Sequence, residues 1–428
     1  MAKNDICKLR LDSIAAGGDA LGRIGGKPVF IEGGAPDEDV LCRITEDHNT
    51  WARAELLEIK KPSPARIDAA CPFYGKCGGC NLQHIKYEAQ IKIKENILKD
   101  TLLRIGGISA PEPVIFSSPP WEYRNRMQFH CFRERPSGQK QNSYTILQRE
   151  EKAAFGLMGR AGEEIVPITD CPIAVPSIRE LLRRGASNGV SRGGNGITLP
   201  PEKDRFAVFS KDDIFLHEGG QQRGKIKLLD KEITLDAGVF FQSNCLMLEK
   251  LILEIRKTAQ EAAYSEAGQT LPMADLYCGA GTFALFLGDL FPKVCLAEEN
   301  KTAVSLAREN LRGINADFFA LRDTEWGKTI FKEQKTENKD QFAQTGNQKA
   351  GAFGFIVVDP PRAGLSPKLA ASLTHNGPPF LAYISCDAAS LSRDSKILTK
   401  GGYKLDKLML FDFYPQTAHV ESLAVFCK

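Results

Sequence analysis

Apolar and polar positions alternate in short runs from about residue 5 to residue 60. Glycine turns break the runs at Ala16-Gly17-Gly18-Asp19, Ile24-Gly25-Gly26-Lys27 and Glu32-Gly33-Gly34. A period of two with such punctuation predicts short strands closing into a small barrel. Lys61-Pro62-Ser63-Pro64 then reads as a linker. The period changes to that of a helix between Lys86 and Leu103, where Ile91, Ile93, Ile97, Leu98 and Leu102 are apolar and Lys92, Lys94 and Lys99 are expected to face solvent. From roughly 115 to 235 the pattern returns to short strands and turns, which predicts a β-rich middle region.

The last third alternates apolar runs with helical patterns. Met273 to Tyr277, Val294 to Ala297, Phe355 to Val358 and Phe380 to Ser385 are the runs. That alternation predicts a doubly wound parallel sheet. The expected fold class is α/β: a C-terminal doubly wound Rossmann-like domain, a small N-terminal OB-like β-barrel, and a β-rich middle domain. The domains are placed at 1–61, 62–235 and 236–428, with the helix near 86–104 expected to pack on the last. Lys335 to Ala350 is rich in Gln, Lys, Asn and Thr with almost nothing to bury, and reads as a solvated insertion.

Composition narrows this only a little. At 428 residues the chain is too long for one core of ordinary size, and 43% apolar with 25% charged residues is a globular balance. The net charge of +3 is weakly basic, so a nucleic-acid surface must come from local clustering. No apolar run is long enough to span a bilayer, and Met1-Ala2-Lys3-Asn4-Asp5 leads into polar alternating sequence. A cytoplasmic protein without membrane association is expected.

In a reducing compartment, a tight cluster among the 12 cysteines points to metal or catalysis before disulfides. Cys71, Cys77 and Cys80 have C-x5-C-x2-C spacing, with Gly75, Gly78 and Gly79 leaving backbone N–H groups free to bond sulfur. Cys171, in Thr169-Asp170-Cys171-Pro172, is the candidate fourth thiol. Four thiolates suit tetrahedral zinc or an iron–sulfur cluster, and spacing does not choose between them.

Ala274-Asp275-Leu276-Tyr277-Cys278-Gly279-Ala280-Gly281-Thr282-Phe283 reads as a strand, a glycine turn and a helix start, a place where backbone approaches a ligand closely. It lacks G-x-G-x-x-G spacing, which argues against a dinucleotide. D-x-x-C-G-x-G is the form familiar in S-adenosylmethionine-dependent methyltransferases. Glu298 ends the next run, where a carboxylate can accept ribose hydroxyls. Asp359, in Val358-Asp359-Pro360-Pro361-Arg362, ends a third. Arg362 stands where amino-group methyltransferases carry an aromatic residue, which weakens an exocyclic-nitrogen target.

Near the C-terminus, Cys386 follows an apolar run in Ile384-Ser385-Cys386-Asp387, and Glu421 precedes one in His419-Val420-Glu421-Ser422. A thiolate adding to C6 of uracil makes C5 nucleophilic, and a carboxylate can then remove the C5 proton so that the thiol leaves. His419 and Gln416 are candidate neighbours for orienting the ring. Cys245, Cys278 and Cys295 read as core residues.

C-P-x-x-G-x-C-G-G-C, F-Q-x-N at Phe241 to Asn244, D-L-Y-C-G-x-G-T-F, D-P-P-R-A-G-L, S-C-D with Ser392-Arg393-Asp394 after it, and H-V-E-S together resemble the RNA uracil-C5 methyltransferase family. The chain looks most like the branch with an N-terminal TRAM domain and a [4Fe–4S] cluster that acts on bacterial 23S ribosomal RNA. The resemblance covers nearly the whole chain. It implies a methyltransferase fold for the C-terminal domain, S-adenosylmethionine as cofactor, Cys386 as nucleophile and Glu421 as base. It implies Gln242, Tyr277, Glu298 and Asp359 as cofactor contacts, Gly279 and Thr282 as residues shaping the loop, and Asp323 as an adenine-side contact. The family commonly has Asn where this chain has Thr282. The resemblance also tips Cys71, Cys77, Cys80 and Cys171 from zinc towards iron–sulfur.

The expected partner is RNA, ribosomal RNA foremost, with no obligate protein partner. Trp121, Tyr123, Arg124, Arg126, Phe132, Arg133 and Arg135 interleave bases and rings as a second candidate RNA surface beside the barrel. Two rival readings are the same chemistry on a tRNA T-loop uridine, and a non-catalytic RNA-binding or redox-sensing iron–sulfur protein.

Overall fold

The computed structural model describes residues 2–131, 145–146, 155–160, 162, 164–188, 205–265, 271–329 and 353–428. Two compact units divide the chain, one of Met1–Ile97, Ser117–Gln222 and Phe413–His419, the other of Leu98–Phe116, Arg223–Asp412 and Val420–Lys428.

The first unit begins with β1 (Ile6–Ile14), β2 (Ala20–Ile24), β3 (Lys27–Ile31), β4 (Asp39–Asp47) and β5 (Ala52–Lys61), closed into a barrel in the order β1-β2-β3-β5-β4. The alternation read from sequence makes it so: Leu9, Leu11, Val29, Ile31, Val40, Cys42 and Ile44 turn inward and are buried. Glu38 is buried where the barrel meets the following linker; it accepts from Ala35 N and is paired with Arg66.

Helix α1 (Tyr87–Thr101) follows and runs on into a π-helical turn over Leu102–Gly106, which Gly107 stops at φ 67°. The expected exposure of Lys94 is wrong. Gln90, Ile93, Lys94, Ile97 and Leu98 form the buried stripe, and Lys94 donates to the Tyr414 carbonyl at 2.8 Å. A partner brought in from 320 residues away lets a charged side chain occupy a core position.

Strand β6 (Val114–Phe116) belongs to the second unit. The first unit resumes with β7 (Arg126–Cys131), β8 (Thr145–Ile146), β9 (Phe155–Met158), β10 (Glu164–Ile168), α2 (Pro176–Asn188), β11 (Arg205–Lys211) and β12 (Ile214–His217). The sheet order is β12-β11-β7-β9-β10-β8, and Phe129, Phe155 and Phe206 pack together in its core. Phe132, Arg133 and Arg135 and the insertion at Lys335–Ala350 lie outside the described residues.

The second unit opens on a hairpin, β13 (Arg223–Leu228) and β14 (Lys231–Asp236), which lies on the N-terminal side of the expected boundary at 235/236. Its contacts explain the grouping: Thr234 N and O bond the Asn310 amide at 2.7 and 3.1 Å, and Lys231 donates to the Leu285 carbonyl. Then come α3 (Cys245–Tyr264), β15 (Met273–Leu276), α4 (Thr282–Leu287), β16 (Val294–Glu298), α5 (Lys301–Asn310), β17 (Ala316–Ala320), α6 (Asp323–Thr329), β18 (Phe355–Val358), α7 (Pro367–Asn376), β19 (Phe380–Ser385), α8 (Ala388–Lys400), β20 (Lys404–Phe411) and β21 (Glu421–Cys427). These strands and β6 form one sheet ordered β17-β16-β15-β18-β19-β21-β20-β6. β15 to β19 are parallel and β21 is antiparallel to both neighbours. Strand order reverses between β15 and β18, so the ligand crevice opens there, beyond the carboxyl ends of the strands.

Candidate active site

The crevice is built from chain segments that leave the sheet at one end. After β15 the chain turns through Tyr277 at φ 64°, Gly279 at φ 52° and Gly281 at φ 80° into α4. A left-handed conformation is strained for Tyr277. It is held by its N–H to the Ala297 carbonyl, by its hydroxyl donating to Asp323 at 3.0 Å, and by its ring against the edge of buried Trp326 at 4.5 Å. Gly281 is required by space as well: a Cβ there would lie 2.6 Å from Leu311 Cδ1. Thr282 is the first residue of α4 and is buried.

Three carboxylates line this end of the sheet. Glu298 accepts from Gly279 N at 3.2 Å and Asn300 N at 2.8 Å, which ties the second strand to the glycine turn. Asp275 is buried in β15; burial raises its pKa to about 8 against the opposing Ala284 N–H, with Asp359 and Glu298 adding like charge. Asp359 is raised to about 7 by burial, opposed by a hydrogen bond from the Gln242 amide. Asp275 Oδ1 and Gln242 Oε1 are buried without a hydrogen-bond partner. Unpaired acceptors and crowded carboxylates are complementary to a ligand carrying positive charge, N–H donors and hydroxyls. Asn244, at the end of F-Q-x-N, caps α3 by accepting from Met247 N.

Cys386 and Glu421 meet at the same end. β19 and β21 pair antiparallel with Ser385 opposite Ser422, so Cys386 and Glu421 stand at the next step beyond the ladder. The thiol is half-buried and the carboxyl buried. Burial first, then the Glu421 and Asp359 carboxyls, push the Cys386 thiol up to about 12 against the opposing charge of Arg362. The Cys386 thiol, the Glu421 and Asp359 carboxyls and the Arg362 guanidinium thus act on one another in a single crevice. Asp323 joins it through Tyr277.

Sequence reasoning missed several supports. Trp326 locks Tyr277. Asp394, fully buried on α8, accepts from Leu365 N and the Tyr383 hydroxyl, both at 2.8 Å, and from the guanidinium of Arg393. Gln416 does not face a ring: it is buried in the first unit, its amide bonded to Gln90 and to the Pro120 carbonyl. His419 is exposed and lies edge-on to Tyr414 at 5.8 Å. Cys245 and Cys278 are buried core residues and Cys295 is half-buried.

In the first unit, Cys71, Cys77, Cys80 and Cys171 line one cavity with Tyr74, Gln83 and Arg124. Burial raises the pKa of all four thiols, to about 11 at Cys80 and about 12 at Cys171. Among the described residues, no three His, Cys, Asp or Glu side chains are grouped to hold a metal ion. No helix is long and apolar enough to cross a membrane, among those described.

The strand order, the glycine turn after the first strand and the acid after the second define an S-adenosylmethionine-type methyltransferase fold with a neighbouring thiol and carboxyl at its rim. Residues 221–428 match the family described as tRNA (Uracil-5-)-methyltransferase, and residues 11–57 match the TRAM domain. An RNA methyltransferase of Treponema denticola is 31% identical over 94% of each chain. A 23S rRNA (uracil(1939)-C(5))-methyltransferase of Photobacterium profundum is 27% identical over 98% of this chain and 92% of its own. The solved tRNA (uracil-54, C5)-methyltransferase of Pyrococcus abyssi, in complex with S-adenosyl-L-homocysteine, shares the fold with a TM-score of 0.64 over 98% of this chain and all of its own, at 20% identity. The chain belongs to the S-adenosylmethionine-dependent RNA (uracil-5-)-methyltransferase family.

Proposed function

We propose that this enzyme methylates C5 of a specific uridine in 23S ribosomal RNA, with Cys386 as nucleophile and Glu421 as base. The observation that carries the proposal is the register of β19 and β21, which puts the Cys386 thiol and the Glu421 carboxyl side by side at the mouth of the crevice. The Cys386 sulfur bonds to C6 of the uracil and pushes electron density to C5. Bound S-adenosylmethionine supplies an electrophilic methyl group on a positively charged sulfonium. Glu421 then takes the C5 proton, the C6–sulfur bond breaks, and the thiolate is released. Tyr277, Gly279 and Thr282 shape the cofactor loop, Glu298 serves the ribose, Gln242 and Asp359 the amino-acid end, and Asp323 the adenine side.

Chain organisation follows the same proposal. A barrel over 1–61 and the middle region over 62–235 serve RNA binding, and 236–428 carries the chemistry in the cytoplasm. The ribosomal target is favoured by curated relatives that align along nearly the whole chain. The four thiols around one cavity suit a [4Fe–4S] cluster, and half-buried Arg124 offers a countercharge: desolvation alone would lower its pKa, but Tyr123, Tyr414, Cys171 and Cys80 raise it. Cys71, Cys77, Cys80 and Cys171 would hold the cluster as a staple for the middle region, since methyl transfer to uracil needs no electrons.

Mapping 5-methyluridine in ribosomal and transfer RNA from a deletion strain tests the target. Loss at one 23S position supports it, and loss only in the tRNA T-loop would replace it with the tRNA reading.

A further inference from the structure

The fully buried carboxylate of Asp394 has no part in the chemistry above, yet it joins two walls of the crevice. It sits on α8, seven residues beyond Asp387, the cap that follows Cys386 and accepts from Ser390 N at 2.7 Å. Its Oδ2 takes Leu365 N and the Tyr383 hydroxyl, and its Oδ1 takes Nε and Nη2 of Arg393. Arg393 Nη2 in turn donates to the Ala363 carbonyl at 2.8 Å. Residues 359–366, the loop that carries Asp359 and Arg362, are therefore bonded to the helix that begins beside the thiol. Gly364 bears the imprint of that contact: at φ 75°, a Cβ there would fall 2.5 Å from Asp394 Oδ2 and 2.6 Å from Arg393 Nη2.

We propose that Asp394, with Arg393, is a positioning residue that fixes the 359–366 loop and so holds the Arg362 guanidinium within electrostatic reach of Cys386. The proposal rests on the reading of Cys386 as nucleophile and adds to it what holds the thiol's one favourable charge in place. The charged groups acting on the thiol are Glu421 from β21 and Asp359 and Arg362 from this loop, and of these Arg362 alone favours thiolate. Asp359 is held separately at the end of β18, its N–H on the Leu276 carbonyl and its carboxyl bonded by Gln242, and Glu421 stands on β21; a drift of residues 362–366 therefore removes the cation and leaves both carboxylates within reach. Thiolate is then rarer at any given pH, and a carbon electrophile meets a slower sulfur.

The test follows Cys386 itself, with no RNA or cofactor present. Full-length enzyme is alkylated with iodoacetamide across a range of pH, and the modified Cys386 peptide is quantified by mass spectrometry. Arg362→Gln is expected to slow alkylation at neutral pH by about tenfold, the equivalent of one pKa unit. Asp394→Asn, which keeps the shape but loses the charge that pairs Arg393, is expected to move the profile in the same direction by roughly three- to tenfold. Gly364→Ala, which pushes the loop off the carboxylate from the other side, should do likewise, and it decides the matter if Asp394→Asn does not fold. Either change combined with Arg362→Gln should slow alkylation no further, because the effect runs through that one cation. An unchanged profile in the folded Asp394→Asn and Gly364→Ala proteins would overturn the proposal, as would effects that simply add to that of Arg362→Gln. Methyl transfer by a Cys386→Ala enzyme is a separate outcome: it would remove the nucleophile reading and leave the alkylation result standing.

Discussion

The crevice and the cysteine knot both bury ionisable groups, and they pay for it differently. In the crevice four acids have a backbone anchor supplied by a strand end or a helix start. Asp275 takes Ala284 N, Glu298 takes Gly279 N and Asn300 N, Asp387 takes Ser390 N, and Asp394 takes Leu365 N. Those elements form for reasons of periodicity and packing, so the site is shaped before any ligand arrives. In the knot, three of the four thiols lie in one short segment, Cys71 to Cys80, where the Cys71 thiol receives the Phe73 and Tyr74 N–H groups and the Cys77 thiol the Gly79 N–H at 3.4 Å. A site braced by strand ends and helix starts and a site braced by one short irregular segment should therefore fail in different ways when perturbed.

The largest effect should come from the crevice. Cys386→Ala is expected to cut methyl incorporation by more than roughly a thousandfold while leaving S-adenosylmethionine affinity intact, since the thiol is no cofactor contact. Tritiated-methyl transfer and calorimetry measure the two. Glu421→Gln comes next. It should slow turnover by roughly 100- to 10,000-fold and accumulate a covalent RNA–protein species that resists denaturing gel electrophoresis. The knot should answer in stability. On the proposal of a [4Fe–4S] cluster, Cys80→Ser is expected to lose iron and sulfide and to lower Tm by roughly 5–10 °C, without changing cofactor affinity at the other site. Loss of cofactor binding in that variant would break the contrast.

The smallest effect is a proton count. Asp275 and Asp359 are raised from the ordinary aspartate value of 3.8 to about 8 and about 7. Folded protein therefore holds these protons to higher pH than unfolded chain. Stability without cofactor should fall as pH rises from near 3.8 through those values. A bound cation favours the ionised forms, so S-adenosylmethionine binding near neutral pH should release about one proton. S-adenosylhomocysteine, without the sulfonium charge, should release less. Calorimetry in buffers of different ionisation enthalpy resolves the difference.

What could be read from the sequence follows the same divide. The barrel and the parallel strands were legible because their side chains obey a period, and the Phe355–Val358 and Phe380–Ser385 runs are the strands observed. The cofactor turn was legible because its glycines and acids are adjacent in the chain. Lys94 and Gln416 were misread because their surroundings are remote: the Gln90 and Gln416 amides that satisfy each other are 326 residues apart. Asp394 hid for a similar reason, since Ser392-Arg393-Asp394 on a helix gives no sign that its carboxylate ties down a loop 29 residues earlier.

The most direct measurement is a trap. RNA carrying 5-fluorouridine at the target offers Glu421 no C5 proton to remove, so the sulfur–C6 bond should persist after methyl transfer. Digestion and mass spectrometry of the complex should find the methylated fluorouridine on the peptide containing Cys386, and no such complex with Cys386→Ala. A nucleotide attached to a different cysteine, or full turnover with no attachment, would contradict the account.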